Sequence, residues 1–193
     1  METKLKDLLE DKKAVILTKW FDAVIKTYPG NTPGFLKGQK DRFANPVGFT
    51  ITQGLESMLE ALIAGKDLSD EFPYLEDILK VRAVQDFTPA KAVSFIFFLK
   101  NVVRDVLAKE IRQKQIYEAL LDFETKVDDL ALLAFNIYTK CREQLNQIKI
   151  DELKRMTYTL MKNANILYDV PAQESEQYDI PAQFEQHDLK FNI

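Results

Sequence analysis

The sequence predicts an all-α chain, a single helical bundle followed by a disordered C-terminal tail, and three observations carry that prediction. All six glycines (Gly30, Gly34, Gly38, Gly48, Gly54 and Gly65) fall within the first 65 residues. From Ala90 to Val170 there is neither glycine nor proline, and this stretch is filled with Leu, Ala, Lys, Glu and Ile, residues that cost little to hold in a helix. Apolar residues recur at steps of three and four, the spacing that lines one face of a helix.

Taken in order, the first helix is predicted from about Thr3 to Thr27, with Leu5, Leu8, Leu9, Ile16, Trp20 and Val24 on one face, ending at Tyr28-Pro29-Gly30. Residues 31–44 read as a loop carrying Lys37, Lys40 and Arg42. Asn45 then caps a helix that has Pro46 at its first position, where a missing N–H costs nothing. Its stripe is Val47, Ile51, Leu55, Met58, Leu59 and Leu62, and Gly65 stops it. A shorter helix follows from Tyr74 to Asp86, with Leu75, Ile78 and Leu79 inward.

Thr88 and Pro89 open a further helix that runs to about Lys109. Its apolar residues, among them Val93, Phe95, Ile96, Phe97, Phe98 and Leu99, spread around much of its circumference, which predicts a central buried helix. The pattern stays helical from Gln113 to Asn163, with Phe123, Val127, Leu130, Ala134, Ile137 and Cys141 spaced by four and three, and Ile148 a heptad beyond. One helix of that length would measure about 75 Å, so either a break is expected between Asn146 and Asp151 or the helix end leaves the globule, and the favoured reading is a last segment, Asp151 to Asn163, that packs back or projects as a separate piece. The Phe123 to Ile148 stripe suits either a dimer interface or a face of the chain's own core.

After Asn165 the composition turns to Gln, Glu, Asp and Pro, which predicts a flexible tail over 165–193. Within it Tyr168-Asp169-Val170-Pro171 and Tyr178-Asp179-Ile180-Pro181, each followed by Ala-Gln, form a repeat offset by ten residues. Such a repeat reads either as a solubilising appendage or as two docking motifs for a protein partner, the tyrosine and branched residue filling a pocket and proline limiting the entropy lost on binding.

The charge balance and residue inventory exclude several function classes. A net charge of −4 and a pI near 5.2 do not suit a nucleic-acid binder, which needs a clustered excess of Lys and Arg. The charged N-terminus holds no apolar leader, and the richest apolar run, Ala92 to Leu99, is too short to span a membrane, so a cytoplasmic location is expected. The single Cys141 cannot form an internal disulfide and reads as a small buried core residue. One histidine, His187 in the tail, and one cysteine leave no converging ligand set for a transition metal and no base for a histidine-dependent nucleophile, so no cofactor is expected.

Paired carboxylates such as Asp128 with Asp129, or Glu71 with Asp86, are expected to lie on solvated faces rather than to do acid–base work. The glycine-rich segment from Gly30 to Gly38 matches no phosphate-binding fingerprint. Arg82, Gln85 and Asp86 precede the most apolar helix, and structural ion pairing partly inside the fold is the expectation for them.

Several segments carry a family resemblance. They are Trp20 with Thr27-Tyr28-Pro29, the run Arg42-Phe-Ala-Asn-Pro46-Val-Gly48, the run from Val81 through Arg82, Gln85 and Asp86 to Leu107, and Tyr138-Thr-Lys-Cys-Arg142-Glu143. Together they resemble the N-terminal domain of the RsbT co-antagonist protein RsbRD over roughly residues 5–146. The resemblance implies a cytoplasmic sensory domain, globin-like without haem and dimeric, coupled in its relatives through a helix to a STAS output domain in stress signalling; the expectation for this sequence is a stand-alone module without that output domain. It divides the chain into a helical domain at 1–146, a helical extension at 147–164 and the tail. The expectation is a non-catalytic regulatory or sensory module that works through protein contacts and has room for a small-molecule ligand. The alternative is an adaptor that docks onto a larger assembly through its tail.

Overall fold

The computed structural model describes residues 2–28, 32–38, 43–66, 73–112 and 116–164. Among these residues there are eight helices and no strand: α1 (Glu2–Asp11), α2 (Lys13–Ile25), α3 (Thr32–Gly38), α4 (Pro46–Ala64), α5 (Pro73–Val84), α6 (Pro89–Val106), α7 (Ala108–Arg112) and α8 (Tyr117–Asn163). The chain divides into two units, Met1–Ile150 and Asp151–Ile193. In the first, α2 packs against α4 and α6, α5 packs against the same two helices, and α1 lies on α4. Trp20, Phe95, Leu99, Val127 and Leu130 are buried in the shared core.

Two caps predicted from sequence form as expected. Asn45 Oδ1 accepts the Gly48 N–H at 2.9 Å in front of Pro46, and Thr88 Oγ1 accepts the Lys91 N–H at 3.4 Å in front of Pro89. Gly65 ends α4 at φ 66°, with its own N–H bonded to Leu62 O and that of Lys66 to Ala61 O. Gly54 marks the close crossing of α4 and α5, since a Cβ there would meet Ile78 Cδ1 at 2.5 Å.

The predicted first helix is two helices. Lys12, at φ −103° and ψ 7°, interrupts it, and Leu107 at φ −100° and ψ 17° similarly ends α6 at Val106 rather than near Lys109. The two irregularities meet: the Lys12 ammonium donates to Val106 O at 3.3 Å and to Glu110 Oε1 at 2.8 Å. A side chain on one element thus satisfies a carbonyl that a helix end leaves without its usual partner, and this is a tertiary contact that periodicity cannot reveal. Residues 32–38 form a short helix within the expected loop, where Lys37 pairs with Asp22 at 3.0 Å; Lys40 and Arg42 lie outside the described residues.

The expected break in the last helix does not occur, and α8 runs 47 residues, about 70 Å at 1.5 Å per residue. Residues 146–151 contain no proline to remove a donor and no glycine to favour a left-handed stop, so the hydrogen-bond ladder continues. The stripe on α8 is largely a face of the chain's own core: Phe123, Val127, Leu130, Ala134 and Cys141 are buried, Ile137 is half-buried beside the buried Tyr138, and Ile148 is exposed. Phe97 faces outward, 43% exposed, with the Lys100 ammonium 5.9 Å from its ring centre. A helix that is apolar around most of its girth cannot bury every side, and on α6 the inward arc belongs to Phe95, Ile96, Leu99, Val102 and Val103.

Candidate functional site

The turn between α5 and α6 departs most from ordinary helix chemistry. α5 ends in the same hydrogen-bond pattern that Gly65 gives α4: the Asp86 N–H bonds to Ala83 O and the Phe87 N–H to Arg82 O. The left-handed position is filled by Asp86, at φ 55°, the only described non-glycine residue with positive φ. A left-handed aspartate is costlier than glycine, and the structure supplies a reason for its carboxylate. Arg142 of α8 binds Asp86 Oδ1 at 2.8 Å while the same Nη1 donates to Ala83 O at 3.0 Å. Tyr138, one turn earlier on α8, donates its hydroxyl hydrogen to Phe87 O. The hydrogen bond and charge of Arg142 hold the Asp86 carboxyl below the usual carboxylate range, and burial raises the Tyr138 phenol above its ordinary value.

On the inner side of the turn lies Arg82, fully buried. Its Nη1 donates to Lys91 O at 3.1 Å and to Ala92 O at 3.4 Å, and its Nη2 to Thr27 Oγ1 at 3.2 Å. Three rings enclose the guanidinium, with centres 5.3 Å (Tyr28), 5.0 Å (Phe87) and 4.7 Å (Phe95) from Cζ. Burial lowers the Arg82 pKa and raises that of Tyr28. The indole of Trp20, also buried, donates to Phe95 O at 2.7 Å and fixes the ring wall from the α2 side.

Of the residues singled out in the sequence, Arg82, Asp86 and Arg142 come together in this corner, and Trp20 reaches it through Phe95. Gln85 sits on the same turn but is exposed, and Pro46 stands apart at the start of α4. The expected pairing inside the 82–86 cluster is redistributed: Arg82 turns inward alone, and Asp86 pairs with α8. Tyr168, Asp169, Val170, Pro171, Tyr178, Asp179, Ile180, Pro181 and His187 lie outside the described residues. Tyr28, Phe87 and Tyr138 are the corner residues that sequence reasoning did not assign to a site. No linear signal joins Tyr28 to Arg82, 54 residues away, and only the fold makes them neighbours.

Of the carboxylates considered for acid–base chemistry, Asp128 pairs with Lys100 at 2.6 Å and Asp86 with Arg142, and Asp129 is exposed; Glu71 is not among the described residues. Glu124 is buried and takes a two-pronged contact from Arg104 at 2.6 Å on each oxygen. Among the described residues no three His, Cys, Asp or Glu groups gather to hold a metal ion, and no helix is long and apolar enough to cross a membrane. A cavity of about 390 Å³ opens between α1, α4 and α8, lined by Leu5, Leu9, Leu62 and Phe123 with Lys6 and Lys126 among its polar residues.

No curated protein and no solved structure matches the chain. Residues 14–153 match the family described as the RsbT co-antagonist protein rsbRD N-terminal domain, a span that takes in Trp20, the whole 82–88 turn and both α8 residues that hold it. The chain belongs to the RsbRD N-terminal domain family.

Proposed function

We propose that the chain is a non-catalytic regulatory module of stress-response signalling that acts by contact with other proteins. The family description, the N-terminal domain of a co-antagonist protein, supports a regulatory role. The observation that carries the reading is the continuity of α8. The helix that grips the 82–88 turn through Tyr138 and Arg142 runs without interruption to Asn163, and in its last turns carries Leu153, Met156, Leu160 and Met161, all exposed. Exposed apolar residues at steps of three and four mark a surface for a protein partner. A change at the turn therefore has a stiff element along which to act.

The test is capture from the native cell with the wild type and with a Leu153→Glu/Leu160→Glu variant, read by mass spectrometry. A partner held by the first and lost by the second supports the reading, and identical partner sets defeat it. The same proposal has the module cytoplasmic, globin-like without haem, and dimeric through surfaces other than the buried α8 stripe. Light scattering should then give about 45 kDa, twice the chain's 22.3 kDa, and added haemin should show no shifted Soret band. The adaptor reading is favoured by the tail repeat from Tyr168 to Gln183. Under it, deletion of residues 165–193 abolishes capture while the Leu153/Leu160 variant retains it.

A further inference from the structure

The cavity of about 390 Å³ between α1, α4 and α8 takes no part in the corner described above, and its walls divide by polarity. Leu5 and Leu9, one turn apart on the same face of α1, line it together with Leu62 of α4 and Phe123 of α8, and all four are buried. Lys6, Asp122 and Lys126 also line it but are exposed, so they stand where it opens to solvent. The remaining wall is the end of α4, where Gly65 at φ 66° presents bare backbone. Lys126 Nζ lies 3.8 Å from the point where a Cβ on Gly65 would stand, so its ammonium sits at the carbonyl end of that helix, where a cation is favoured. Among the described residues no carboxylate, Asp122 included, forms an ion pair with Lys6 or Lys126. Both ammonium groups therefore have donors to offer a guest.

We propose that this cavity binds a small amphipathic monocarboxylate, its apolar body on Leu5, Leu9, Leu62 and Phe123 and its carboxylate on the ammonium groups of Lys6 and Lys126. An apolar floor gives up its water to an apolar guest, and the surrounding side chains offer that guest dispersion contacts that water does not supply. The rim fixes the sign of the head group. Two ammonium groups there face one side-chain carboxylate, Asp122, and the carbonyl end of α4. A monocarboxylate neutralises the excess cation, a dianion overshoots it beside Asp122, and an ammonium guest meets two like charges. An uncharged guest fills the floor and leaves the rim as it was. Size follows from volume: at roughly 30 Å³ for each water-sized group, the cavity holds about a dozen non-hydrogen atoms. Occupancy would tie α1 and α4 to the early turns of α8, the helix whose later turns hold the 82–88 turn through Tyr138 and Arg142. That regulatory consequence rests on the function proposed above; carboxylate binding itself does not.

Calorimetric titration of the full chain with octanoate, a carboxylate of matching size, tests the site against octan-1-ol, octylamine and acetate. Octanoate is expected to bind saturably, octan-1-ol and acetate at least about tenfold more weakly, and octylamine not at all. The double variant Lys6→Gln/Lys126→Gln removes both charges at exposed positions. It should weaken octanoate at least about tenfold and leave octan-1-ol unchanged. Nuclear Overhauser contacts from the octanoate methylenes locate the guest, and contacts to Leu5, Leu62 or Phe123 support the site. Four results overturn the proposal: no saturable octanoate binding, octan-1-ol or octylamine binding as tightly as octanoate, a double variant that titrates like wild type, or Overhauser contacts confined to other side chains. Absence of octanoate binding with partner capture intact would remove this inference alone, and the converse would remove the regulatory reading alone.

Discussion

Arg142 and Asp86, 56 residues apart in sequence, are joined at 2.8 Å, and Asp86 occupies the left-handed backbone position that Gly65 fills at the end of α4. The strained residue and its partner are one device: the aspartate's cost at φ 55° is accepted at a turn where its carboxylate ties α5 to α8.

The device gives a pH dependence with a definite sign. The Asp86 carboxyl is held below the usual range in the folded state, so the pair contributes stability above the unfolded value of about 3.9, and that contribution is lost as pH falls through the folded-state pKa. Asp86→Asn removes the charge and keeps a residue that tolerates the left-handed region. Its melting temperature should lie below wild type at neutral pH, and the gap should close in acid below about pH 4. Asp86→Ala should melt lower than Asp86→Asn throughout, because alanine also bears the backbone strain. Thermal scans across pH check both orderings.

Arg82 predicts an inversion of ordinary conservatism. Lysine at this position keeps the charge but loses the planar fork that reaches two carbonyls and the Thr27 hydroxyl together. Arg82→Lys should cost roughly 2–3 kcal/mol. Arg82→Met, which removes the buried charge altogether, should cost less. Urea unfolding of the two variants gives the comparison, and a methionine variant less stable than the lysine variant would contradict it.

Neighbouring phenylalanines on α6 should respond very differently. Phe95 is fully buried and forms part of the Arg82 enclosure, whereas Phe97 faces solvent. Phe95→Ala should cost about 3–5 kcal/mol, and Phe97→Ala less than about 1 kcal/mol. Equal losses in chemical denaturation would mean that α6 is rotated from the orientation described.

Cys141 should be a protected thiol. It is buried on α8 and burial raises its pKa, so both access and thiolate fraction are low. Labelling by a disulfide reagent at pH 8 should be at least about a hundredfold slower in native protein than in urea, and rapid native labelling would show that this part of α8 opens.

The helical class, both proline-started helices with their Asn45 and Thr88 caps, and the Gly65 stop were legible in the sequence because each is decided within a few residues by propensity, capping and backbone geometry. The inward face of α4 followed from spacing for the same reason, whereas the α8 stripe suited a dimer interface as well as the chain's own core until the fold buried most of it. What the tertiary structure alone decided are the relations between distant segments: the paired interruptions at Lys12 and Leu107, the outward turn of Phe97, the Asp86 cap in place of a glycine, and the enclosure of Arg82 by Tyr28, Phe87 and Phe95. These depend on which side chain arrives from elsewhere to accept a hydrogen, supply a charge or exclude water. The continuity of α8 belongs with them in part: its residues permit it, but composition could not choose between one long helix and two.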